Sequence, residues 1–385
     1  MTQALPTLDV RALEISSDRR RIVVTWADGR TTAAPAGWLA DNAEGACDPA
    51  SGHRLGSALA LADEVQDARL DGDALALWLG SGQARRVSLA ALARADAGWG
   101  DAAPGPSAEL WPAAAALAAE PAVSFEAYLA DDRALAKTLG QVVRRGIAFL
   151  TGVGTEPGAV ERITAQFGHI RETNYGRLFD VREEAAPTHL AYTPVGLDLH
   201  TDNPYREPPP TLQVLHVIEA AAAGGESQFA DGFAHAEALR VEAPVKFEAL
   251  AQTPVGFAYA GAAGERYFAR SPVIETSVDG EVVGVRVNHR ALRTPPPSVA
   301  ERWYEAYLDF YRRLHAPAAR LERRLAPGEA VIFDNRRLLH GRSPYRAAAE
   351  ASGRRWLQGC YADIDGLKAT LSRLPVGDGG PGAGA

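Results

Sequence analysis

The chain has 385 residues, 46% of them hydrophobic, a formal net charge of −8 and only two cysteines. This length suits one small and one large domain with an ample core. The acidic balance, with no basic run, excludes a phosphate-tracking nucleic-acid surface; two cysteines exclude a disulfide framework and point to a reducing, cytoplasmic setting; no apolar stretch is long enough to span a bilayer.

In chain order, Met1 to Asp18 lacks an apolar run followed by a cleavage site, so no signal peptide is expected. Two β-rich units of similar plan fill residues 1–100. The first is Ile22-Val23-Val24-Thr25-Trp26 with an Asp28-Gly29 turn; the second is Ala74-Leu75-Ala76-Leu77-Trp78 with a Gly80-Ser81-Gly82 turn and Val87-Ser88-Leu89 returning. Small antiparallel sheets follow from that pattern. The Pro-, Ala- and Gly-rich residues 101–121 are expected to be a linker.

From Asp132 the period becomes helical, with Leu135, Leu139, Val142 and Val143 on one face and Gly146 as the stop before a strand, Ile147 to Leu150. A second helix is predicted with Pro157 in its first turn and Val160, Ile163 and Phe167 sharing a face. Gly152, Gly154 and Gly158 lack a Walker lysine and are expected to form a turn rather than a phosphate loop. A third helix is predicted from a capping box, Ser298-x-x-Glu301, with Val299, Trp303, Phe310 and Leu314 along one side, leading to Pro327-Gly328 and a strand from Ala330 to Phe333. Short β segments between these helices suggest antiparallel sheets closing over a core, as in a jelly roll. Residues 122–375 are thus expected to form one mainly β domain with flanking helices, and 376–385 a disordered tail.

The chemistry is concentrated in a few places. His200-Thr201-Asp202 is followed by His340, 140 residues on, and two imidazoles with one carboxylate are the ligand set of a facial non-haem Fe(II) site. Around it stand Leu212-Gln213-Val214-Leu215-His216, Gly224-Gly225-Glu226-Ser227, Phe333-Asp334-Asn335-Arg336-Arg337-Leu338-Leu339-His340-Gly341-Arg342 and Gly359-Cys360-Tyr361-Ala362-Asp363.

Together these segments resemble the taurine-dioxygenase (TauD/TfdA-like) superfamily, and within it the gamma-butyrobetaine dioxygenase branch, along nearly the whole chain. The resemblance implies a double-stranded β-helix (jelly-roll) catalytic domain preceded by a small β-rich domain. It implies Fe(II) on His200, Asp202 and His340, with 2-oxoglutarate as cosubstrate and ascorbate as a stimulant. Arg355, in the pattern Arg-x-Leu-x-Gly-x-Tyr, takes the place that grips the distal carboxylate of 2-oxoglutarate, with Ser227 beside it; Arg354 is expected to face solvent. His189 stands near the oxo-acid site where the family often has Asn.

Tyr175, Phe179, Tyr192 and Tyr361 match an aromatic cage for a quaternary ammonium group, whose charge is attracted to ring faces because it cannot donate hydrogen bonds. Phe179 replaces a common Trp. Asn203, Tyr205, Asn288, His289 and Arg290 match the anion end of the substrate. The expected reaction is hydroxylation of a small trimethylammonium acid, gamma-butyrobetaine to carnitine, with 2-(trimethylammonio)ethylphosphonate as the rival substrate. A non-catalytic quaternary-ammonium binder on the same fold is the reading from another class, but it would be expected to lose a ligand or Arg355. Halogenation is excluded because Asp202 is present, and no GxSxG elbow suggests a hydrolase. His216 and Asp231 are expected to be structural, and His53, His169, His235 and His315 have no partners at ligand spacing.

The branch usually carries zinc in its small domain, on cysteines that follow Trp-Leu-x-Asp-Asn. Here Trp38-Leu39-Ala40-Asp41-Asn42 precedes Ala43, Gly45 and Asp48, with Cys47 out of register and His53 nearby. One cysteine and one histidine cannot close a four-ligand site, so no structural zinc is expected. The partners expected are a small-molecule substrate and O2, with no nucleic acid and no membrane, and the chain is expected to be a homodimer.

Overall fold

The computed structural model describes residues 8–56, 64–80, 82, 84–95, 108–117, 121–182, 193–221, 223–261, 264–346 and 355–375. His189, Tyr192, Arg354, residues 101–107 and 118–120 of the expected linker and the 376–385 tail lie outside the described residues. The chain divides into two compact units, Met1–Pro104 and Gly105–Ala385.

The first unit repeats one plan twice. Strands β1 (Val10–Ile15), β2 (Arg21–Trp26) and β3 (Thr31–Pro35) form an antiparallel meander that runs into helix α1 (Ala36–Asp41); β4 (Val65–Asp71), β5 (Ala74–Leu79) and β6 (Ala84–Ser88) do the same before α2 (Leu89–Ala95). Alternate residues of β2 are buried, so Ile22, Val24 and Trp26 join Leu39, Leu75, Leu77, Val87 and Leu92 in one apolar core. The Trp26 indole donates to the Thr32 hydroxyl at 2.9 Å, so this buried ring leaves no unpaired donor. Around Cys47 the chain turns back on itself: Cys47 pairs with Arg54 in an isolated bridge, and the Asp48 carboxylate accepts from the Ser51 amide at 2.7 Å.

The second unit contains two facing sheets. Its elements are β7 (Val123–Ser124), α3 (Phe125–Ala130), α4 (Asp132–Arg145), β8 (Ile147–Thr151), α5 (Ala159–Thr164), β9 (Phe179–Arg182), β10 (Leu197–His200), β11 (Leu212–Glu219), β12 (Ser227–Asp231), α6 (Gly232–Glu242), α7 (Pro244–Gln252), β13 (Val255–Ala260), β14 (Arg266–Ser271), β15 (Ile274–Thr276), β16 (Val282–Val285), β17 (Leu292–Arg293), α8 (Pro297–Leu314), β18 (Leu321–Arg323), β19 (Ala330–Asp334), β20 (Leu338–Arg342), β21 (Trp356–Ala362) and α9 (Ile364–Leu371). A six-stranded sheet in the order β7-β8-β19-β11-β21-β9 accompanies a four-stranded sheet in the order β10-β20-β12-β18. The non-sequential order, with antiparallel pairing throughout except β7 with β8, is that of a double-stranded β-helix.

Helix α4 matches its sequence pattern: the Asp131 carboxylate caps it by accepting from the Arg133 amide, and Gly146, at φ +79°, ends it in the left-handed conformation glycine adopts freely. Two other expectations fail locally. Helix α5 begins at Ala159 behind Gly158, so Pro157 precedes the helix instead of occupying its first turn, and Phe167 is buried just past its end. The capping box at Ser298 does not form. Pro296 is the N-cap of α8 and Pro297 its first residue, because a proline ring is already set for that position and gives up no needed donor.

One buried ion pair ties the sheets to the helices. Arg337 reaches Asp231 with two hydrogen bonds, Nε at 3.1 Å and Nη2 at 2.6 Å, and donates two further protons to the carbonyls of Arg144 and Glu109. Asp231 also accepts from the amides of Trp111, Phe233 and Ala234, which makes it the cap of α6. His216 likewise holds the carbonyl of Gly154 at 2.8 Å. Both residues are therefore structural, as their sequence setting suggested. Asp231→Ala leaves a guanidinium of 3% side-chain exposure without its partner. It should cost roughly 3–5 kcal/mol in chemical denaturation, against less than about 0.5 kcal/mol for Arg30→Ala on the surface.

Candidate active site

Strand β10 pairs with β20 so that His200 lies directly across from His340, and His340 in turn lies across from Phe229 of β12. The two imidazole centroids are 4.5 Å apart. Asp202, two residues past His200, turns back to place one carboxylate oxygen 3.3 Å from His200 Nε2 and the other 3.7 Å from His340 Nε2. All three ligand atoms lie within 4.8 Å of one another, and among the described residues this is the one such group of three. Cis ligands of an octahedral ion are roughly 3 Å apart when each bond is roughly 2.1 Å, so small side-chain movements would close the set on a metal.

Tautomer and charge fit the same use. The His200 Nδ1 meets the Asp198 carbonyl at 2.8 Å, which makes it the protonated nitrogen and leaves the Nε2 lone pair facing Asp202. Burial, reinforced by neighbouring His200, lowers the His340 pKa to about 3, so that ring is neutral at physiological pH. Asp202 is held below the ordinary carboxylate range: burial works the other way, but the histidines and a 2.8 Å hydrogen bond from the Tyr361 hydroxyl outweigh it. Neutral imidazole with ionised carboxylate is the protonation state that binds a divalent metal.

The backbone at the motif is clamped by a residue to which no sequence feature assigned a role. Asn335, 1% exposed, accepts from the Asp202 amide at 2.8 Å and donates to the Asp202 carbonyl at 3.1 Å and the Pro210 carbonyl at 2.9 Å. Its place in the motif segment was visible, but its role arises only when the turn after β19 meets the 202–210 loop. The next residue, Asn203, takes a left-handed φ of +54°, which its short polar side chain tolerates. Arg286 fixes the following turn through the carbonyls of Pro204 and Arg206.

The triad opens into a cavity of about 260 Å³. Tyr175, Phe179, Asn203, Tyr205, Ser227, Asn288, Arg290, Arg355 and Tyr361 all line it. His289 does not; it stacks over Tyr307 with centroids 6.1 Å apart. Phe179 and Tyr361 lie side by side at 4.9 Å. The Tyr175 and Tyr205 hydroxyls are 3.2 Å apart, and Tyr205 donates onward to Asn203 Oδ1 at 2.7 Å. Burial raises the pKa of both phenols, Tyr205 to about 12, so they remain neutral. Tyr259 was not foreseen: it lines the cavity and stacks on Tyr205 at 4.9 Å, with Tyr267 outside it. Gln213, 2% exposed, also lines the cavity unforeseen. Both sit on strands whose inward faces cannot be told from outward ones until the register is known.

Arg355 is 6% exposed, and among the described residues no carboxylate pairs with it. Burial and nearby Arg342 lower its pKa to about 9, which still leaves it charged at neutral pH. A Cβ on Gly225 would lie 3.2 Å from its Nε, so the glycine leaves the guanidinium room. A buried cation without a counter-ion, beside the Ser227 strand and facing a metal triad, fits one carboxylate of a bound dianion.

The family model for taurine catabolism dioxygenase TauD, TfdA family, matches residues 108–361. The chain belongs to this dioxygenase family. It is 37% identical over 373 residues to a gamma-butyrobetaine dioxygenase of Pseudomonas sp. (strain AK-1), covering 92% of this chain and 93% of that one. The human gamma-butyrobetaine dioxygenase is 33% identical over 66% of each chain, and the bovine mitochondrial trimethyllysine dioxygenase 32% identical over 66% of this chain and 61% of that one. The dioxygenase uses Fe(II) and 2-oxoglutarate, and the neutral-imidazole triad and the unpaired Arg355 fit both. Among the described residues no helix is long and apolar enough to cross a membrane.

Asp202→Ala should abolish Fe(II) binding measured by equilibrium dialysis while circular dichroism stays unchanged. Asn335→Ala, which keeps all three ligands but frees their backbone, should weaken binding roughly 10- to 100-fold.

Proposed function

We propose that this dioxygenase hydroxylates gamma-butyrobetaine to carnitine, binding the substrate between an aromatic cage and a set of amide, phenol and guanidinium donors. The observation that carries the reading is the cavity wall itself: Tyr175, Phe179 and Tyr361 share one cavity with the triad. A trimethylammonium group is charged but has no N–H, so ring faces and dispersion are what can hold it. The two kinds of relative act, by name, on gamma-butyrobetaine and on trimethyllysine. Those molecules share the trimethylammonium end.

The opposite end is supported by Asn203. Its Oδ1 is taken by Tyr205, while its buried Nδ2 has no partner among the described residues. An unsatisfied buried donor is costly, and a substrate carboxylate would satisfy it. Asn288 donates to the Thr201 carbonyl at 3.1 Å, which ties the anion-end segment to the metal motif. When bound, iron would activate O2, the oxidant, with 2-oxoglutarate as the two-electron reductant that leaves as succinate and CO2, so that one oxygen atom converts a substrate C–H to C–OH. The chain's own residues hold both substrate ends so that one C–H faces the triad, and the aromatic wall restricts water.

Two cysteines, both free, support a reducing cytoplasmic setting. We expect a homodimer, which sedimentation would check. 2-(Trimethylammonio)ethylphosphonate is the second reading, favoured by Arg290, whose extra charge at the cavity suits a dianion better than a carboxylate. With Fe(II), ascorbate and 2-oxoglutarate, succinate formation should rise on adding gamma-butyrobetaine; if no trimethylammonium acid stimulates turnover, the reading fails. A higher kcat/KM for the phosphonate would select the second substrate. Arg355→Ala should raise the KM for 2-oxoglutarate by roughly 100-fold, the loss of a bidentate charged contact.

A further inference from the structure

Phe179 stands on β9, the edge strand of the six-stranded sheet, directly across from Gly359 of β21. On the other side of Gly359, the residue across from it is Leu215 of β11. A Cβ added to Gly359 would lie 2.5 Å from Phe179 Cζ, 2.6 Å from Phe179 Cε2 and 2.8 Å from Leu215 Cδ2. Contacts that short do not occur between real atoms, so any side chain here must push the ring aside. Gly359 is not among the glycines with positive φ, so backbone conformation does not demand glycine. The space above its Cα does.

The ring of Phe179 therefore lies across bare backbone, beside Tyr361 at 4.9 Å, and both rings line the cavity. The strand that carries it is held independently: Asp180 accepts from the Trp356 indole at 2.9 Å and from Gln358 Nε2 at 3.2 Å. The ring can be displaced while the strand stays in place.

We propose that Gly359 is a specificity-determining residue that acts through Phe179, seating the ring on the strand so that the cavity keeps its width and its second aromatic face beside Tyr361. This rests on the trimethylammonium reading above. A side chain at 359 drives the ring off its seat, which weakens attraction to the cation without touching the metal ligands or Arg355.

The test compares wild type, Gly359→Ala, Phe179→Ala and the double variant on gamma-butyrobetaine and on its neutral carbon isostere, 5,5-dimethylhexanoate. Gly359→Ala should raise the KM for the cation about tenfold, with kcat within about twofold, and erode the preference for the cation over the isostere. In the Phe179→Ala background the same change should alter neither. Equal effects with and without the ring, or an unchanged preference in a wild type that discriminates, would overturn the role of Gly359 while leaving the cage intact. A wild type that does not discriminate would overturn the cage, and this inference with it. If Gly359→Ala alone does not fold, recovery of folding in the double variant with Phe179→Ala supports the seat; recovery with Leu215→Ala instead, or with neither, refutes it, since the decisive clash would then not be with the ring.

Discussion

His200 and His340 come from points 140 residues apart, yet they face each other across one pair of antiparallel strands, and everything at the site depends on that pairing. The side-chain period of a strand is two, so a slip of one residue between β10 and β20 would send one imidazole to the opposite face and leave Asp202 with a single partner. The register is secured away from the metal position. The Asp231–Arg337 pair anchors the ends of β12 and β20 to the carbonyls that close α4, and Asn335 grips the backbone of Asp202 itself.

The cavity is a compromise between burial and charge. Arg355 sits deep in the second unit with no carboxylate beside it among the described residues, and Asn203 keeps a buried amide donor without a partner. Each is costly without a partner and is satisfied by an anion. By contrast the Asp202 carboxylate accepts a hydrogen bond from the Tyr361 hydroxyl. The protein thus leaves fixed donors at the cavity, which suits an enzyme whose cosubstrate carries acid groups.

The aromatic wall follows a mixed logic, because its tyrosines are held through their hydroxyls or by stacking and its phenylalanine by shape. Tyr175 and Tyr205 are linked through their hydroxyls, Tyr259 stacks behind Tyr205, and Tyr361 is fixed by its bond to Asp202. Phe179 has no polar handle. Its place is set by what Gly359 lacks, which is why a glycine on a strand can matter to substrate choice as much as the ring it faces.

Much of this was legible in the chain. The metal triad could be read because two imidazoles with one carboxylate are a rare ligand set, and Arg355 and Ser227 were expected from the resemblance to the dioxygenase family; the α4 pattern could be read because one amphipathic face and a terminal glycine are local properties. Where neighbouring signals competed, local reading failed: Pro297 outranked the Ser298 capping box, and α5 began behind Gly158 rather than at Pro157. The roles of Asn335, Gln213, Tyr259 and the bare seat at Gly359 could not be read from sequence, although three of the four stand in its motif segments, because each acquires its role from a strand or loop distant in the chain. The sequence by itself determined which chemical groups were available: two imidazoles and a carboxylate, a guanidinium, and a set of aromatic rings. Tertiary structure decided which of them meet, since cross-strand register and the space beside a Cα are properties of two segments together and of neither alone.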